Sequence, residues 1–341
     1  MIMNTATRSY SKLALILPMI VGLLIMFSHQ PTFAQNSNDS ATQTWAEKLG
    51  YPSGKRVVIL HADDIGMSEG ANISAKSYLK NDHIQSVAVM PPCPSFEEFI
   101  DWAKENPQED VGIHLTLTSE WKTYRWGSVA DPAEVPGLID PEGKLWRSVR
   151  EVVEHASAAE VEKEIRAQIE KSIALGYRPD HIDTHMGTLY GSHEFTAAYT
   201  KVAEEYSIPA MVIDMSNPAI VEGFRQQGYP ITEEMLAVVN NYKLPKLDYF
   251  YSVGKADTYE EKCQKFYDLV KSWQPGLIEI IFHPSEYSED LKSITGSWQQ
   301  RVWEAEMFAD PDVIQFLKDE DIIFTNWKEI MERFNEGVVR N

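Results

Sequence analysis

Cysteine is nearly missing from this chain. Its 341 residues include two, Cys93 and Cys263, too few for a disulfide framework. Cys263 shares a helix-spaced apolar stripe with Phe266, Val270 and Trp273, the pattern of a buried free thiol. Positive charge is scarce as well. Against 51 Asp and Glu stand 31 Lys and Arg, a net charge of −20, and such acidity repels nucleic acid and anionic membrane surfaces. A Gly-rich phosphate loop is absent, as are a basic cluster near strand ends, a short-period repeat and a low-complexity linker in mid-chain. Phosphate chemistry and a repeat array lose their usual signals. One long apolar run occurs, Leu13 to Phe27. At 15 residues it falls short of the roughly 20 that span a bilayer.

That run follows Arg8 and Lys12 and precedes a polar stretch containing Thr32-Phe33-Ala34. This is the order of a secretory signal. Residues 1–34 are therefore expected to be a signal peptide cleaved near Ala34, leaving a periplasmic or secreted protein with no stable membrane partner. An uncleaved N-terminal anchor is the alternative. The first cysteine, Cys93, lies far beyond the run, so a lipoprotein anchor has no attachment point. Residues 35–50 are polar at their start and are expected to form a flexible leader. Removing the two positive charges of Arg8 and Lys12 takes −20 to −22 for the mature chain. Residues 51–341 remain, enough for one large domain with a well-buried core.

In that part short apolar runs alternate with helical patterns. Strands are expected at 56–62, 84–90, 111–117, 180–185, 208–214, 247–253, 277–282 and 321–325. The clearest helix carries Val161, Ile165, Ile169 and Ile173 at i, i+4 spacing and stops at Gly176. Another runs from Pro94 to Asn106. Strands buried on both faces and separated by helices pair in parallel. About eight such units suit a single (β/α) barrel of the TIM type, regular or distorted, better than an open sheet. Two stretches break the rhythm: 118–147, with little periodicity, and 215–246, helical around Thr232 to Asn240. Connections of that length without their own structure are usually functional.

The chemistry of such a barrel sits at the C-terminal ends of its strands, and four strands deliver unusual residues there. Val57-Val58-Ile59-Leu60 runs into His61, Asp63 and Asp64. The third strand carries His114, the fourth reads His181-Ile182-Asp183-Thr184-His185, and the seventh runs from Glu279 into His283-Pro284. Singly, a strand-end histidine is usually a hydrogen-bonded rim residue, and Ser68, a good N-cap, has Asp63 and Asp64 as rivals for the next helix. Jointly, four strands aiming such residues at one mouth point to a site. Adjacent carboxylates repel in a dry environment, and a divalent cation reverses that. Asp64, His114 and His185 would supply one carboxylate and two imidazoles, with other positions left open. Asp63 is then free to take a proton from water, and His283 can act as the acid. His29, His83, His155 and His193 match no motif.

These residues also carry a resemblance. HADDIGMSEGAN (61–72) resembles the Asp-Asp motif of the YdjC-like carbohydrate deacetylases, a family that includes chito-oligosaccharide deacetylases. VGIHLTLT (111–118), RPDHIDTHMG (178–187) and LIEIIFHP (277–284) are similar to three further family segments, in family order. The resemblance covers roughly residues 55–330. It implies a β/α barrel and metal ligands at Asp64, His114 and His185. It also implies a base at Asp63, an acid or oxyanion partner at His283, and hydrolysis of an N-acetyl group from an amino sugar. The metal is then zinc or magnesium, with two imidazoles favouring zinc or a similar transition ion. Three departures stand out: His61 where the family commonly has Asn, Met186-Gly187-Thr188-Leu189-Tyr190 after the fourth-strand motif, and a signal peptide together with the 118–147 insert.

Asp183 shares a strand face with His185 and is the candidate to orient a ligand imidazole. Asn72 matches a family position and is expected to brace the Asp-Asp turn. Trp121, Tyr124, Arg125 and Trp126 lie in an aromatic loop shortly after His114. Flat rings there suit a pyranose face and Arg125 its hydroxyls, although such residues also anchor long loops by packing. The rival readings are another metal-dependent hydrolase, such as a phosphoesterase, and an exported carbohydrate-binding protein without turnover.

Overall fold

The computed structural model describes residues 43–340. The expected signal peptide and cleavage site lie outside the described residues. So does the first half of the expected leader, residues 35–42. Its last part is not flexible: Thr44 caps the helix Trp45–Lys48 through a capping box with Glu47. The backbone N–H groups of Trp45 and Ala46 donate to the two carboxylate oxygens of Asp248 at 2.9 and 3.3 Å, and Trp45 Nε1 donates to Asp214 at 2.9 Å. Two free helix N-terminal donors meeting a carboxylate explain why this segment is fixed.

The sheet is built from seven strands: β1 (Arg56–Ile65), β2 (Ser86–Val89), β3 (Val111–Leu115), β4 (Ile182–Thr184), β5 (Tyr249–Ser252), β6 (Gly276–Phe282) and β7 (Ile322–Phe324). All pairings are parallel, in the order β4-β3-β2-β1-β6-β5 with β7 on β1. The long central strand β1 has β6 along one edge from Arg56 to Ala62. Its other edge is shared, with β7 at Arg56–Val58 and β2 from His61 onward. Val57, Val58, Ile59 and Leu60 are consequently all in the core, which is why this strand reads as an unbroken apolar run rather than an alternating one.

The segment expected as a strand at 208–214 makes two isolated parallel bridges instead, Ile182–Ala210 and Ile213–Leu247. These link β4 to the start of β5, so the fold is a parallel β/α barrel, distorted at this point. Around it pack the helices that the periodicity foretold. Ala158–Ala174 opens with a Ser157–Glu160 capping box and buries Val161, Ile165 and Ile169; Phe96–Glu105 buries Phe96, Phe99 and Ile100. Cys93 and Cys263 are buried free thiols. The 215–246 insert holds two helices, Pro218–Gln226 and Glu233–Asn241. Residues 118–147 contain a 3-10 turn, Pro136–Leu138, and an isolated antiparallel bridge, Ile139–Leu145. This loop is pinned from below, since the buried Glu164 accepts from the N–H groups of Val129 and Ala130 at 2.8 and 2.9 Å.

Candidate metal centre and catalytic site

The strand ends at one mouth carry Asp63 and Asp64 from β1, His114 from β3, and Asp183 and His185 from and just after β4. All five are buried. Asp64 leaves the strand with φ 60° and Gly66 follows at φ 85°. Gly66 has no substitute there, because a Cβ would stand 2.9 Å from Val89 Cγ1 and 3.3 Å from Phe96 Cα. Asn72 holds the turn: its Oδ1 accepts from Gly66 N–H at 2.8 Å, while its Nδ2 donates to Ser95 O at 2.9 Å and Glu98 at 2.7 Å. Ser68, not either aspartate, caps the following helix through Ala71 N–H, so both carboxylates are free to face the mouth.

Three donor atoms meet there. Asp64 Oδ1 is 3.3 Å from His114 Nε2 and 3.0 Å from His185 Nδ1, and the two ring nitrogens are 3.2 Å apart. Bond lengths of about 2.0–2.1 Å to one ion give ligand–ligand edges of about 2.8–3.0 Å in an octahedral and about 3.3–3.4 Å in a tetrahedral arrangement. Each ring is oriented from behind. His114 Nδ1 donates to Asp183 Oδ1 at 2.7 Å, and His185 Nε2 donates to Glu120 at 3.0 Å. Those bonds aim the opposite nitrogens, with their lone pairs, at Asp64. Asp64 Oδ1 is itself buried without a hydrogen bond, as an oxygen reserved for a cation would be. The residues fit a divalent ion.

Asp63 and His283 flank this centre, with Asp63 Oδ2 4.0 Å from His283 Nε2. The backbone N–H of His283 donates to Glu304 Oε2 at 2.6 Å, and Glu304 Oε1 pairs with the buried Lys262 at 2.6 Å. These groups line a cavity of about 340 Å³, within the usual range for small-ligand sites. Its outer wall includes Phe224, Tyr229 and Ile231 from the 215–246 insert and Phe250 from β5.

The family model described as YdjC-like protein matches residues 57–319. The chain belongs to the YdjC-like family. Among its relatives, the carbohydrate deacetylase of Thermoanaerobacter pseudethanolicus is 25% identical over 272 residues, covering 80% of this chain and 98% of its own length. The carbohydrate deacetylase of Thermus thermophilus is 28% identical over 275 residues, covering 80% and 93%. A crystal structure of a putative cellobiose-phosphate cleavage protein from Enterococcus faecalis has the same fold. It superposes with a TM-score of 0.66 at 23% identity, covering 81% of this chain and 99% of its own.

The electrostatics of this YdjC-like site follow from crowding. Burial opposes the charge on Asp64, yet Arg301, 2.6 Å from its Oδ2, and His185 hold the carboxyl well below the usual range. Burial likewise opposes charge on the two rings, and the carboxylates outweigh it. Asp183 and Asp63 raise His114 well above its ordinary value, and Glu120 and Asp64 raise His185 to about 9. The carboxylates thus give both rings a strong affinity for positive charge, proton or metal. His283 is enclosed by protein although part of its side chain opens to the cavity, and burial lowers its pKa.

The aromatic loop divides. Trp121 lines the cavity, with the Arg301 guanidinium 5.6 Å from its ring. The other three residues expected to touch sugar do not line it. Tyr124 donates its hydroxyl to Met67 O at 2.6 Å. Trp126 Nε1 donates to Thr118 O at 2.9 Å, and Arg125 pairs with Asp140 at 2.7 Å and Glu142 at 3.0 Å. With their polar atoms engaged by Met67, Thr118, Asp140 and Glu142, these side chains fasten the loop, and none of the three lines the cavity.

Four site residues had not been singled out for a role: Arg301, Glu304, Glu120 and Lys262. Arg301 and Glu304 sit i, i+3 on the helix Trp298–Met307, and both are buried. Charged residues at core spacing were the available signal.

Proposed function

We propose that this protein is a metal-dependent carbohydrate deacetylase that removes N-acetyl groups from an amino sugar or its oligosaccharide. The observation that carries the reading is the convergence of Asp64 Oδ1, His114 Nε2 and His185 Nδ1 within 3.0–3.3 Å, beside Asp63 and His283 on the cavity wall. The names of the relatives supply the acyl group and the sugar. A divalent ion held by the three side chains supplies Lewis acidity toward the acetyl carbonyl and the water. Zinc or a similar ion suits two imidazoles and one carboxylate better than magnesium does.

The chain's own residues do the rest. Asp63 accepts a proton from the attacking water. His283, across from it, delivers a proton through Nε2 to the nitrogen as the C–N bond breaks, giving acetate and a free amine. Positioned acid–base groups contribute about 10²–10⁴-fold each. Trp121 offers a flat face to a pyranose at the cavity edge. The expected leader and signal assign the reaction to the periplasm or the exterior.

Metal analysis combined with acetate release from N-acetylated chito-oligosaccharides tests the reading. Acetate release that disappears on chelation and returns with zinc is expected. Full activity after exhaustive chelation removes the metal from the proposal, and no acetate from any N-acetylated sugar removes the reaction. N-terminal sequencing of protein recovered from expressing cells tests export, which an intact Met1 on cytoplasmic material would rule out.

A further inference from the structure

His61 lies three residues before Asp64 and is completely buried. Its Nδ1 is 3.0 Å from Ser86 Oγ, and Ser86 Oγ donates its single proton to Asp110 Oδ1 at 2.7 Å. Ser86 can therefore only accept from His61, which fixes a proton on Nδ1. The other ring nitrogen, Nε2, is 3.1 Å from Asp63 Oδ1 and 3.2 Å from Asp183 Oδ2. A bare nitrogen would set its lone pair against two carboxylates in a dry interior, an arrangement that burial makes costly. Nε2 must present positive charge to both.

Asp183 is the shared member. Its Oδ1 accepts from His114 Nδ1 at 2.7 Å while its Oδ2 faces His61. A continuous path thus runs from the proposed base Asp63, through His61 and Asp183, to the ligand His114. The remaining groups facing His61 are His181, edge-on at 5.1 Å between ring centroids, and the buried Glu279.

We infer that His61 is a positioning residue whose charged ring stands between Asp63 and Asp183, ion-paired to both through Nε2 without an aligned hydrogen bond to either, holding the base and the His114-orienting carboxylate in one fixed relation. The inference rests on the reading of Asp63 as base. Burial disfavours the charged ring, but Glu279, Asp183 and Asp63 hold its proton well above the ordinary histidine range, consistent with protons on both nitrogens. Asn at this position is too short to reach Ser86 and both carboxylates together, so Asp63 and Asp183 would each rotate independently.

The test uses the full chain, wild type and His61→Asn, with zinc loading measured by chelator competition and turnover measured on N-acetylated chito-oligosaccharides. Expected are one ion per chain in both, a kcat lowered about 10²-fold with KM within twofold, and a zinc Kd raised about tenfold. A general loss of packing would not spare KM and stoichiometry while moving kcat. Two ions per wild-type chain overturn the inference, because the second would occupy the place assigned to the proton. Unchanged kcat and Kd in the variant overturn it too. If the wild type releases no acetate, the reading of Asp63 fails by itself, and the zinc Kd still decides whether His61 acts on His114 through Asp183. Should His61→Asn not fold, nitrogen NMR of wild-type protein labelled in histidine decides: a buried ring protonated on both nitrogens supports the inference, and a bare Nε2 overturns it.

Discussion

Two trios of aspartate and histidine stand side by side at the barrel mouth, one carboxylate with two imidazoles in the first and two carboxylates with one imidazole in the second. Asp64, His114 and His185 form one, and His61, Asp63 and Asp183 the other; both are buried and both bring ligand-type atoms within 4.8 Å. Their outer partners separate them. In the first, Asp183 and Glu120 take the protons of the far ring nitrogens and leave the near ones, both facing Asp64, to a proton or a metal. In the second, Ser86 takes the Nδ1 proton of a ring whose other nitrogen faces only anions. Side chains of the same two kinds therefore acquire different chemistry from the atoms behind them.

The sharpest way to break this comparison is to remove one member of each trio. His114→Ala is expected to abolish both metal retention and turnover. Asp63→Asn is expected to keep the metal and lose about 10²–10⁴-fold in kcat; metal analysis and steady-state rates on the two variants separate the roles. Asp183→Asn strikes the residue that joins the second trio to His114 of the first, and a 10–100-fold rise in metal Kd is expected by chelator competition.

Glu279 sharpens the contrast between the mouth and the core beneath it. It accepts from Trp327 Nε1 at 2.9 Å, and burial raises its pKa to about 7. A carboxyl raised in the folded state makes its full contribution below the unfolded pKa, near 4.5, and loses it as pH climbs to about 7. Glu279→Gln keeps the acceptor without the titration. Relative to wild type it should gain on the order of 3 kcal/mol between pH 4.5 and 7, read from unfolding curves at several pH values. The smallest effect concerns the loop: Trp121→Ala should raise KM by about tenfold or less, the scale of one aromatic contact, with kcat little changed. Trp126→Ala should lower thermal stability instead.

Much of the barrel was legible because its strands are buried on both faces. Val57–Leu60 and Leu277–Phe282 could hardly be anything else, and the helix over Val161 and Ile165 announced itself by spacing and terminal glycine. The 208–214 segment was read as a strand because local apolarity does not reveal how many ladder bonds a segment completes. The three strand-end ligand candidates were legible through their position at apolar run ends. Arg301 was not, since its partner Asp64 is 237 residues away and no local pattern encodes that pairing. The aromatic loop stayed between two readings, sugar contact and packing, for a related reason. Composition shows that Tyr124, Arg125 and Trp126 can stack and donate, but only the fold shows that Met67, Asp140 and Thr118 already occupy their polar atoms.

Arg301 also decides how the centre behaves when emptied. By claiming Oδ2 of Asp64 it leaves that carboxylate one prong to offer, and it stays behind as a resident counter-charge once an ion departs. An ion removed from the candidate centre would therefore leave no naked anion at Asp64, and the pair would keep the walls standing.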